Sequence, residues 1–214
     1  MFLKTTGFKR LIKEAYKGAG LSIGSTENAI YLSSGWWIIW IRKGHIPKEK
    51  LAAIIELTGE LPETGETYRA TKDGQQYELT WNDLYDVMGN ARNCKHEMEI
   101  TRVIIEGKGN YDSRVLQHVG TGCIQLINEK LIQMISNKEV DEKRGHTEVI
   151  GPVCGRLQGV FWYNNVMALH VMPRIDDAAM RLIRFLEGID INEESKENWP
   201  DVSQNTVKEE TEEA

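Results

Sequence analysis

The chain has 214 residues, 41% of them hydrophobic and 27% charged, with a formal net charge of −6. This is an ordinary globular balance, long enough for one large domain or two small ones. No apolar run approaches the ~18 residues that a bilayer span requires, so a membrane-spanning helix is excluded.

The opening "MFLKTTGFKRLIKEAYKGAG" carries lysines inside its apolar pattern and has no apolar core segment of the kind a signal peptide needs. The three cysteines, Cys94, Cys123 and Cys154, fall into no pairing or metal-binding pattern. Together these features point to a reducing cytoplasm. The net charge is unevenly spread. From Glu193 onward eight acids face two lysines, and residues 1–60 hold nine Lys/Arg against five Glu. An acidic tail, expected to be disordered, therefore masks a basic N-terminal segment, and the charge balance leaves polyanion binding open.

Residues 2–6 predict a short strand and residues 8–17 a helix, with Phe8, Leu11, Ile12, Ala15 and Tyr16 on one face. Lys9, Lys13 and Lys17 form an i, i+4, i+8 row on the opposite face, with Arg10 beside them. "GAG" at 18–20 stops the helix. "LSIGSTENAIYLSSG" predicts a hairpin, and "WWIIWIRKG" a third strand. That strand places Trp36, Ile38 and Trp40 on one face and Trp37, Ile39 and Ile41 on the other. Both faces are apolar, as in a strand covered from both sides. One cover is expected to be the first helix. The other is expected to be the helix at 48–58, led by Pro47, or a second subunit.

"ETYRATKDGQQYELT" predicts another hairpin. "TWNDLYDVMGN" predicts a short helix capped by Thr80, and "EITRVIIEG" a strand. Residues 107–120 read as a linker. Beyond it, "CIQLI" predicts a strand and "EKLIQMISNK" a helix capped by Asn128. "TEVIGPV", "GRLQGVFWY" and "VMALHVMPRI" predict further strands, the last two joined by an Asn164-Asn165 turn. Asp176 and Asp177 cap a final helix that buries Ala179, Leu182, Ile183 and Leu186. The order strand–helix–strands thus occurs twice.

Two stretches carry a resemblance: "FLKTTGFKRLIKEAYKGAGLSIGSTENAIYLSSGWWIIWI" and "GRLQGVFWYNNVMALHVMPRI". The first resembles the opening of a DNA sliding-clamp domain. The second is similar to the closing hairpin of a bacterial clamp, with Met172-Pro173-Arg174-Ile175 at its end. The chain also resembles small phage-related clamp-like proteins of Gram-positive bacteria. The resemblance covers residues 1–45 and 121–175. It implies an α+β fold of two clamp-like strand–helix–strands units with antiparallel sheets, followed by a C-terminal helix and a disordered tail. The expected division is 1–106 for the first unit with a helical insertion, 107–120 for the linker, 121–190 for the second unit and helix, and 191–214 for the tail. In the clamp family the helices line a ring and present basic residues to DNA, usually as a homo-oligomer. Fold alone does not transfer that function.

Under this expectation Lys9, Arg10, Lys13 and Lys17, with Lys130 of the second helix, contact the backbone of double-stranded DNA without sequence readout. The alternative is a solvated helix face. Trp36, Trp37 and Trp40 form a core or subunit-interface cluster, or else a base-stacking platform beside Arg42 and Lys43. "NCKHEMEI" lacks HExxH, neither "GTG" nor "GPVCG" has phosphate-loop spacing, and no paired carboxylates appear. The expectation is a non-enzymatic protein with no catalytic residues, metal or cofactor, and no membrane. The alternatives are a protein-binding adaptor or inhibitor of phage or host origin that does not touch DNA, and, more distantly, a small thiol-dependent enzyme.

Overall fold

The computed structural model describes residues 1–77, 86–107, 111–155, 159–187, 189 and 191. The acidic tail from 192 and the expected cap Thr80 lie outside them.

Helix α1 (Thr5–Lys17) starts three residues earlier than its apolar pattern indicates. The strand expected at 2–6 is reduced to one bridge, Leu3 to Ile135, because the helix takes up its second half. Strands β1 (Leu21–Ser25), β2 (Ala29–Ser33) and β3 (Trp37–Arg42) follow as an antiparallel meander. Helix α2 (Lys48–Thr58) and the hairpin β4 (Thr67–Thr71)–β5 (Gly74–Tyr77) complete the first part. Gly74 sits at φ +120° in the hairpin turn, a conformation that only glycine adopts readily.

Helix α3 (Val87–Asn93) begins at Asp86, whose carboxylate accepts from Gly89 N at 2.8 Å. Strand β6 (His96–Ile105) follows. The stretch 107–120, read as a linker, holds strand β7 (Ser113–His118), paired with β6 and with β8 (Ile124–Asn128). Helix α4 (Glu129–Gln133) is a single turn and a half, much shorter than expected, although Asn128 caps it by accepting from Lys130 N. Two short 3-10 turns lead to β9 (Ile150–Cys154), β10 (Val160–Tyr163), β11 (Met167–Val171) and α5 (Asp177–Leu186). Asp176 caps α5 by accepting from Ala178 N and Ala179 N.

All strands among the described residues join one antiparallel sheet in the order β5-β4-β1-β2-β3-β11-β10-β9-β6-β7-β8. Its middle is palindromic: β1-β2-β3 meets β11-β10-β9, with the seam at β3–β11, where Ile39 faces Leu169. A helix precedes each triplet, α1 before β1 and α4 before β9. The two helices touch. Lys4 N donates to Met134 O and Ser136 N to Phe2 O, both at 2.8 Å. Gly7 permits the approach, since a Cβ there would lie 2.5 Å from Met134 Cγ.

The pleat decides what covers β3. Trp37, Ile39 and Ile41 join Phe8 and Ile12 of α1, Ala53 and Ile54 of α2, and Leu131 of α4 in the main core. Ile38 and Trp40 face the opposite way, with Tyr31, Phe161 and Ala168, against Val87, Met88 and Ala91 of α3. The second cover is thus not α2, which shares the face of α1. It is α3. A third cluster lies under α5, where Ala179 and Ile183 pack on Val115, Ile124 and Leu126.

Candidate functional site

Helix α1 is anchored through Phe8, Ile12 and Ala15, all buried. Its outer face carries Lys9, Arg10, Lys13 and Lys17, each exposed, and exposed Glu14 is the one acid among them. Lys17 also lies in the last turn, where a cation complements the helix dipole. Burial of the apolar stripe fixes the helix rotation, and the rotation turns the cationic row outward.

Lys130 stands on the adjoining α4 and is half-buried. Its neighbour Glu129 would cancel its charge, but Glu129 has another partner. Arg114 of β7 grips it with Nε and Nη2 donating at 2.7 and 2.6 Å. That hydrogen bond raises the Arg114 pKa further and satisfies a carboxylate that is itself buried. Sequence reasoning missed this pair because Arg114 lay in the presumed linker. Lys4, also missed, reaches across to α4 by donating Nζ to Gln133 O at 2.8 Å. The basic face therefore consists of the α1 row, with α4 joined to it at Gly7 and Met134.

The three tryptophans lie in three different surroundings. Trp37 is core, at 4% exposed, and Trp40 packs in the α3 cluster. Trp36 is 64% exposed at the mouth of β3, where its carbonyl accepts from Met172 N.

A cleft of about 420 Å³ opens where α3 meets β6 and β9, lined by Asn90, Asn93, Cys94, Lys95 and His96 among others. Its chemistry is poor for nucleophilic attack. Burial, then the nearby Cys154, pushes the Cys94 thiol up to about 11, and its Sγ donates to Asn90 O at 3.3 Å. Burial also raises the Cys154 thiol, which lies 3.4 Å from Met98 Sδ. His170 is buried and stacked on Phe161 with ring centroids 4.3 Å apart. His96 and His118 lie ring to ring at 4.9 Å. Among the described residues no three His, Cys, Asp or Glu side chains form a group able to hold a metal ion. Nor is any helix among them long and apolar enough to cross a membrane.

No family model matches the chain, and no curated protein matches it. Among solved structures, the DNA polymerase III beta chain of Streptococcus pneumoniae TIGR4 is similar over 82% of this chain and 64% of that one, at 7% identity and a TM-score of 0.33. The chain thus spans less than two thirds of that protein's length. A likeness this distant leaves the functional reading to the α1 face and the sheet order.

Proposed function

We propose that the protein is a non-enzymatic, clamp-like protein of phage-related origin that associates with double-stranded DNA through the basic face of α1. The observation that carries this reading is the exposed row Lys9, Arg10, Lys13 and Lys17 on a helix whose other face is locked into the core. Such a row can neutralise phosphates and release counterions without touching a base edge. The palindromic sheet supports it, with α1 and α4 packed into the same core at its centre. We take the two halves as clamp-like units spanning 1–106 and 121–190, working in the cytoplasm as a homo-oligomer, with Lys130 extending the contact surface.

The test is binding of a DNA duplex followed by fluorescence anisotropy. Four phosphate contacts give a slope of about −3.6 in log affinity against log salt, roughly a 150-fold loss between 50 and 200 mM. The triple variant Lys9→Glu, Lys13→Glu, Lys17→Glu is expected to abolish binding while keeping its thermal midpoint, because all three side chains are solvent-facing. Salt-insensitive binding, or an unaffected triple variant, sinks the reading.

A second reading, a protein-binding adaptor without DNA contact, is favoured by Trp36, a large aromatic left 64% exposed. It expects no duplex binding at 50 mM salt. The thiol-enzyme reading is disfavoured by the raised pKa of half-buried Cys94 and of buried Cys154.

A further inference from the structure

The two halves of the molecule are joined at a further place, away from the β3–β11 seam and the α1–α4 contact. His45 lies in the connection from β3 to α2, and His146 in the connection from the second 3-10 turn to β9. His45 Nδ1 and His146 Nε2 lie 3.0 Å apart, with ring centroids 5.1 Å apart and the planes tilted by 55°. Two further contacts join the same segments. Arg144 Nη2 donates to Gly44 O at 3.0 Å, and Lys50 Nζ lies 3.6 Å from Glu139 Oε2. Lys50 is 2% exposed and His146 5% exposed, whereas His45 is half-buried and Gly44 and Arg144 are exposed, so the junction runs from the interior to the surface. The far side of the His146 loop is fixed: Thr147 N donates to Asn165 Oδ1 and Asn165 Nδ2 donates to Gly145 O.

A bond between two imidazoles needs one nitrogen to donate and the other to accept. One added proton can be shared across the pair. A second cannot, because both facing nitrogens would then carry hydrogen. His146 Nδ1 is buried and has no hydrogen-bond partner among the described residues, so nothing there welcomes a proton. We propose that the His45–His146 pair is an acid-released latch between the two halves of the molecule, closed while the pair shares at most one proton and opened by the second.

The surrounding charges work in the same direction. Burial comes first, and then Arg144, Arg42 and the Met1 amine, in holding the His45 imidazole below its ordinary range. For His146, burial leads, followed by the Met1 amine and His45, with Arg144 adding to the effect and Asp141 opposing it. Lys50 of α2 and Glu139 also face the junction, and burial with Lys50 pushes the Met1 amine down to about 6. The unfolded chain thus binds protons that the closed latch refuses. Stability is intact above the ordinary histidine pKa of 6.5 and falls as the pH drops below it.

The test is amide hydrogen exchange of the full chain between pH 7.5 and pH 5, corrected for intrinsic rates. Residues 43–50 and 137–147 are expected to lose protection together, by about tenfold or more, while the β3–β11 seam stays closed. His45→Asn places an amide where Nδ1 stood, and His146→Gln places one where Nε2 stood, and neither titrates. Each is expected to remove the acid response. Should His146→Gln fail to fold, half-buried His45 carries the comparison, and ring NMR of the unaltered chain reads both pKa values directly. Equal acid response in His45→Asn and the parent, or both rings titrating at or above 6.5, overturns the latch.

Discussion

Trp36 and Trp37 are neighbours in sequence and opposites in energy. Trp37→Ala empties a space in the main core and is expected to cost about 3–5 kcal/mol in urea unfolding. Trp36→Ala removes an exposed ring and should change stability by no more than ~0.5 kcal/mol. If the two variants unfolded alike, the alternation assigned to β3 would be wrong. The thiols differ in the same way. Cys123 is exposed, whereas Cys94 and Cys154 are held protonated by burial. At pH 7.5 an alkylating reagent should therefore label Cys123 fast and the other two at least about tenfold more slowly, as mass spectrometry of timed samples would show.

At the scale of elements, the Arg114–Glu129 pair ties β7 to the first residue of α4, beside the helix bearing Lys130. Removing Arg114 leaves a buried carboxylate with the Gln133 amide but without its charge partner. Arg114→Met should cost about 3 kcal/mol, and pairing it with Glu129→Leu should recover most of that. Equal costs for the single and double variants would show that the charge was never stranded. Much of the element pattern was legible because it rests on local rules. The α1 stripe, both hairpins, the two-sided β3 and the Asp176 cap all follow from spacing over a few residues. What escaped reading depends on distant partners. β7 looked like a linker because Ser113, Arg114 and Gln117 are polar. Yet Gln117 is buried, with its side chain bonded to Gly122 O, Ile189 O and Ile191 N. The helix expected over 80–90 meets α3 only at Val87–Asn90, and the run on to Asn93 escaped because Gly89, Asn90 and Asn93 form helices poorly, packing on the sheet supplying what propensity lacks. The lysine row needed no partner, so spacing alone revealed it.

Across the whole molecule, several junctions hold the halves together, the α1–α4 contact and the β6–β9 pairing among them, and two others differ in kind. The β3–β11 seam is a ladder of backbone hydrogen bonds, which do not titrate, between mostly apolar residues, with buried His170 opposite Ile38. The His45–His146 junction is polar and answers to pH. Neither was visible in the sequence, since each joins residues a hundred or more positions apart. A molecule joined in this way opens at one side before it unfolds, so acid should expose α2 and the 137–147 segment while the sheet persists.

The palindromic seam also sets an order of events during synthesis. β3 leaves the ribosome with β2 as its only neighbour in the sheet, and its other edge waits for a strand about 130 residues further on. At ~5–20 residues per second, that edge stays open for roughly 6–25 seconds. Throughout that interval the nascent chain displays an unpaired strand of tryptophan and isoleucine, the kind of edge on which chains stick to one another. The densest apolar segment of the protein is therefore the one longest without its final partner.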